Sequence, residues 1–231
     1  HMGYTARVIE HADRISDEVL TKLLDSFVGN ETLFIGISST FLQPVDVQRF
    51  AKLINIKQLQ YSNIQFVLGG ARTHLNTNIG ADAIISGYSD SAIVEYMNYI
   101  DNKPHQLIYE NYTTQKNKPY IHINGNKNYK DVDMHNLRTI WKDEDDINSE
   151  DALPIEISRG CIFKCSFCYF PLNGKAKFDY FRSVDELAAE MQYNYDMFGV
   201  TSYSFLDDTF NDSREKIQFL DDVLRRLNFK I

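Results

Sequence analysis

Cysteine is scarce in this chain of 231 residues: there are three, and all fall between Cys161 and Cys168. A disulfide framework calls for an even count and an oxidising compartment, and the sequence signals neither. Positive charge is also in short supply. Twenty-four Lys and Arg stand against 32 Asp and Glu, a formal net charge of -8 with a pI near 5.2. That balance excludes an extended nucleic-acid surface, which would need clustered cations to replace phosphate counterions. No apolar run approaches the roughly 18 residues of a membrane span, and nothing after His1-Met2-Gly3, which reads as a cloning residue ahead of an initiator methionine, resembles a signal peptide. The expectation is a cytoplasmic protein with no membrane contact.

What the chain does have is material for a core. Hydrophobic residues make up 43% and aromatics 13%, with 14 Tyr and 15 Phe, over a length that suits two modest domains. Ser16 can cap a helix to Phe27, in which Val19, Leu20, Leu23, Leu24 and Phe27 share one face. Leu33 to Ile37 reads as an apolar strand and Pro44 opens a helix to about Gln60. Strands follow at Ile64 to Leu68, ending in Gly69-Gly70, and at Ala83 to Ile85, with a helix from about Ser91 to Ile100 directing Ile93, Tyr96, Met97 and Ile100 inward. Alternation of buried strands with helices predicts an α/β fold, a Rossmann-like parallel sheet covered on both faces. The glycine pair can cradle a phosphate or simply make a tight turn, since Gly-Gly lacks the full Gly-x-Gly-x-x-Gly fingerprint.

Gln106 to Tyr112 and Tyr120 to Asn124 read as short strands of a connector, before a turn at Asn124-Gly125-Asn126. Six acids between Asp143 and Asp151 then mark a solvated linker. Leu153 to Ile157 is a strand that delivers the cysteines at its carboxyl end. Ser183-Val184-Asp185-Glu186 forms a capping box for a helix with Val184, Leu187, Met191, Tyr195 and Phe198 on one face, stopping at Gly199. A strand from Thr201 to Leu206 ends in Asp207-Asp208, and Asn211 or Asp212 can cap a last helix with Ile217, Leu220, Leu224 and Leu227 inward. The boundaries expected are 1–102, 103–151 and 152–231.

The cysteine spacing, Cys-x3-Cys-x2-Cys, carries the chemistry. Three thiolates leave a metal centre one ligand short. Structural zinc closes its tetrahedron with four Cys or His ligands, but no histidine follows Cys168 and the nearest before Cys161 is His135. A four-iron cubane held by three cysteines keeps one iron open. His74, after the glycine pair, reads as a surface residue or a contact to a bound ligand. His105, His122 and His135 have no ligand spacing.

The run from Ile157 through Ser158, Arg159, Gly160, Cys161, Ile162, Phe163, Lys164, Cys165, Ser166, Phe167 and Cys168 to Tyr169 resembles the cluster loop of radical S-adenosylmethionine enzymes. The resemblance implies a [4Fe-4S] cluster on Cys161, Cys165 and Cys168, whose open iron chelates S-adenosylmethionine and cleaves it to a 5′-deoxyadenosyl radical for hydrogen abstraction or group transfer, methyl transfer included. It implies an external one-electron reductant and a substrate set by other loops and domains. Phe167 would line the adenine pocket and shield the cluster from water, or is simply core; Arg159 would pair with the cluster's charge or the linker; and Asp207 or Asp208 would meet the methionyl ammonium or cap the next helix. Phe205 to Phe210 is similar to the version of that strand end found in a cobalamin-associated subfamily.

Phe66 to His74 with Gly80 to Gly87 resembles the cobalamin-binding domain of that subfamily, which implies a cofactor site at Gly69 and Gly70. The usual Asp-x-His-x-x-Gly source of a cobalt ligand is absent, and His11-Ala12-Asp13 has the wrong order and spacing. From Leu153 to Ile231 only two strand-helix units fit, with Asn228 to Ile231 as the start of a third strand. The expectation is therefore the start of a partial (β/α) barrel, from a split-gene product or minimal variant. Its open edge would be covered by a complementary C-terminal chain or by a homo-oligomer. The alternative is a non-catalytic binding module whose cluster or zinc serves structure alone.

Overall fold

The computed structural model describes residues 6, 8–9, 12–40, 42–70, 73, 77–87, 89–114, 118–125, 133–168 and 181–231. The chain divides into two compact units, His1–Asp131 and Val132–Ile231. The segment expected as a connector is split between them. Its strands belong to the sheet of the first unit, while the acidic stretch lies in the second.

The first unit opens with helix α1 (Asp17–Phe27), capped by Ser16, whose hydroxyl accepts from the Val19 amide. Strands β1 (Leu33–Ser38), β2 (Ile64–Gly69) and β3 (Ala83–Ser86) run parallel, with helix α2 (Pro44–Gln60) between the first two. Pro44 sits in the first turn of α2, where its missing amide hydrogen costs nothing. Helix α3 (Asp90–Ile100) leads to β4 (Glu110–Thr113), which pairs antiparallel with β5 (Pro119–Asn124). β5 inserts parallel to β3, so the order across the sheet is β1-β2-β3-β5-β4.

Strand alternation sorts the core into two layers. Phe66, Leu68 and Ile84 face Leu20, Leu24, Phe50 and Ile54 of α1 and α2. Val67, Ala83, Ile85 and Ile123 face Ala92 and Tyr96 of α3. Helices therefore cover both faces of a sheet whose central strands are parallel, the mixed α/β arrangement that the buried runs of β2 and β3 require. Lys57 of α2 is fully buried and pairs with Asp25 of α1, and that hydrogen bond holds the Asp25 carboxyl below its usual range.

In the second unit β6 (Ala152–Ile155) and β7 (Ser202–Phe205) pair in parallel. Helix α4 (Val184–Phe198) connects them and α5 (Arg214–Leu224) follows β7. Ile155, Ile157, Leu187, Ala188, Met191 and Val223 form the core. Ser183 caps α4 by accepting from the Glu186 amide at 3.0 Å. Gly199 ends the helix in the left-handed region at φ +72°, which a Cβ would strain. Asn228–Ile231, expected to begin a third strand, forms none here; a strand needs a ladder partner, and no described segment pairs with it. No helix among the described residues is long and apolar enough to cross a membrane.

α5 differs from expectation in two respects. Its cap is Ser213, whose hydroxyl accepts from the Lys216 amide at 3.2 Å, rather than Asn211 or Asp212. Its inner face carries Lys216, Leu220 and Val223, with Leu227 packing on the same core just past the helix, while Ile217 and Leu224 are 44% and 41% exposed.

Candidate functional site

The cysteine loop leaves the carboxyl end of β6 and is held there by its neighbours. Ser158 makes an antiparallel bridge to Phe181, and the Ile157 carbonyl accepts from the Arg182 amide at 3.0 Å. Arg182 and Glu190 form an ion pair of 2.7 Å with both side chains buried. From that pair Arg182 donates to the Leu137 and Glu156 carbonyls, and Glu190 accepts from the Thr139 amide. Removing either partner would strand a buried charge, so the pair fixes the residues flanking β6. Gly160, at φ +94°, makes the left-handed turn into Cys161.

The adjacent carboxylates at the end of β7 have different surroundings. Asp207 accepts from the Ile157 amide at 3.1 Å, the Ser158 amide at 2.8 Å and the Ser158 hydroxyl at 2.7 Å. It also pairs with Lys216 at 2.8 Å, and both side chains are fully buried. Its acceptor capacity is thus spent joining β6, β7 and α5. Asp208 is exposed, and its carboxyl is raised above the ordinary range, first by desolvation and further by the Glu156 and Asp207 charges. The Gly160 amide and Lys216 act against that rise. Glu156 is engaged by Arg159 in a fork of two 2.9 Å hydrogen bonds, so Arg159 is tied to its own strand end.

The thiols lie on one short loop, with Cys161 and Cys168 half-buried and Cys165 exposed. The Cys168 amide donates to the Cys165 carbonyl at 3.0 Å, closing a turn through Ser166 and Phe167. Phe167 is 80% exposed, so it shields nothing here and is not a core residue. Cys161 accepts from the Thr209 hydroxyl at 3.0 Å and from the Phe163 amide at 3.5 Å. Among the described residues no group of three or more His, Cys, Asp or Glu is arranged to hold a metal ion. The three cysteines share a loop without forming a closed ligand set. Their chemistry nonetheless suits a cluster: three thiols outside any disulfide, two half-buried, with N–H and O–H donors on the first sulfur, and metal binding ordinarily draws such ligands together.

The glycine pair lies in the first unit. A Cβ on Gly70, at φ +97°, would stand 2.7 Å from the Thr40 hydroxyl and 3.1 Å from the Ser39 amide. The close approach of the chain after β1 thus accounts for Gly70 without a ligand, and Gly69 has open space around its Cα. His74 falls outside the described residues.

Sequence reasoning did not find Thr209, Lys216 or the Arg182–Glu190 pair. Lys216 had a signal: with Leu220, Val223 and Leu227 it falls at the spacing of one helix face, a lysine in a core position.

Residues 155–231 match the family model described as Radical SAM superfamily. The matched span runs from the last residue of β6, through the cysteine loop, to the end of the chain. No curated protein and no solved structure matches the chain.

Proposed function

We propose that this chain is an iron–sulfur protein of radical S-adenosylmethionine chemistry, with Cys161, Cys165 and Cys168 holding a [4Fe-4S] cluster. One observation carries the reading. The chain's three cysteines sit on one loop at the carboxyl end of β6, tied by Asp207 to the carboxyl end of β7, inside the segment that matches the superfamily. When bound, the cluster supplies one electron that cleaves S-adenosylmethionine, yielding a radical for hydrogen abstraction or for group transfer, methyl included, on a substrate not yet identified.

This chain's own residues divide the work. Asp207 and Lys216 fix the loop's entry, while the accessible Asp208 offers its carboxylate to the methionyl ammonium. Phe167 lies within the cysteine loop with its ring free to cover an adenine. The parallel β6–α4–β7–α5 order is that of the opening units of a (β/α) barrel, and the first unit is organised as a Rossmann-like domain. In this reading the protein works in the reducing cytoplasm with an external one-electron donor. Cobalamin in the first unit would sit at Gly69 and Gly70, the second of which Thr40 also requires to lack a Cβ.

Anaerobic reconstitution tests the proposal. It should yield about four iron and four sulfide per chain, with an electron paramagnetic resonance signal that changes on adding S-adenosylmethionine. Cys165→Ala should abolish assembly. A site that takes only zinc would overturn the reading, and a cobalamin absorbance spectrum after incubation with the cofactor would decide the first unit's part.

A further inference from the structure

Resting on that reading, we propose that Thr209 is a positioning residue, setting through Cys161 how readily the cluster accepts an electron. Thr209 is one residue past the Asp207-Asp208 pair, and its hydroxyl lies 3.0 Å from the Cys161 sulfur, with geometry suited to donation. The backbone that carries the hydroxyl is held in place. The Thr209 carbonyl accepts from the Lys216 ammonium, which also pairs with Asp207. Asp207 in turn holds the Ile157 and Ser158 amides at the entry to the loop. One buried ammonium therefore fixes the backbone on both sides of the sulfur: through Asp207 at the loop's entry, and through the Thr209 carbonyl at the hydroxyl donor.

A hydrogen bond to a thiolate withdraws charge from sulfur and, through it, from the iron it holds. The reduced cluster carries one more negative charge than the oxidised one, so a donor stabilises it more and raises the reduction potential. Cys161 receives the Thr209 hydroxyl in addition to a backbone amide, an arrangement that lets a side chain tune its iron corner. Threonine supplies the donor, and valine has nearly the same shape without it.

The test compares wild type, Thr209→Val and Thr209→Ser, each reconstituted anaerobically, with iron content measured and the reduced cluster followed by electron paramagnetic resonance during a potentiometric titration without S-adenosylmethionine. At equal iron content, Thr209→Val should show about a fivefold lower ratio of reduced to oxidised cluster at a fixed potential, the effect of one hydrogen bond. Thr209→Ser, which keeps the hydroxyl, should restore the wild-type ratio. A valine variant with full iron and the wild-type titration would overturn the role of Thr209 and leave the cluster reading intact. Should serine and valine shift the titration equally, the effect is one of packing and the proposal fails. A wild-type protein that assembles no cluster would overturn both, so the two failures are distinguishable.

Discussion

Asp207 and Asp208 are neighbours in sequence with opposite surroundings, and the difference decides what each can do. Asp207 ends β7 buried, against Lys216 and the start of the cysteine loop. Asp208 faces outward, with Glu156 and Asp207 as like charges and the Gly160 amide and Lys216 as compensation. Because its carboxyl is raised, the folded state holds that proton more tightly than the unfolded state, whose value stays near 3.8. Asp208 therefore contributes stability that is present at low pH and is lost as pH rises through its raised value. The urea midpoint of wild type minus that of Asp208→Asn, followed from about pH 3 upward, should decline with pH across that window. A difference that rises with pH would show the carboxyl depressed instead. Sequence alone could not separate the pair, since the regular alternation of a strand stops where β7 ends. Burial of the first was decided by Lys216, nine positions away on a helix.

At the scale of elements, most of the fold was legible because the signals were local. Ser16, Pro44, Ser183 and Gly199 mark helix ends by capping, by a fixed φ and by the left-handed turn, and each acts within one helical turn. α5 was misread at the one place where local signals competed. Asn211, Asp212 and Ser213 are consecutive capping types, and Ser213 is the one whose hydroxyl meets the Lys216 amide. In the same helix Lys216 lies inside and Ile217 outside. Ser213→Ala should lower the stability of the second unit by about 1 kcal/mol, read as a lower urea midpoint with an unchanged slope. Asn211→Ala should leave the midpoint where it is. If the two variants lose equally, the helix begins earlier than the structure has it. The insertion of β5 between β3 and β4 was beyond local reading, because strand order is set by long-range pairing and Pro119–Asn124 reads the same at an edge or inside. The proposed closing of the three thiols around a cluster would likewise be a property of the bound state, beyond what spacing alone encodes.

For the whole molecule, the informative feature is that each unit has a core of its own. Leu68 is fully buried between β2 and the α1–α2 layer, and Met191 is fully buried beneath β6 and β7. Truncating either should remove transfer free energy and leave a cavity, at a cost of about 2–5 kcal/mol. If each core is the cooperative unit for its own elements, the loss is local. Hydrogen exchange read peptide by peptide should then show Leu68→Ala exposing amides of β1, β2 and β3 while β6 and α4 keep their protection. Met191→Ala should do the reverse. Equal deprotection of both halves by either variant would mean that the two cores fold as one cooperative block. The Arg182–Glu190 staple would then stabilise the first sheet as well as the cysteine loop. Protection confined to the mutated half would place the loop's rigidity in Val132–Ile231 alone, where Asp207, Lys216 and Thr209 already converge on it.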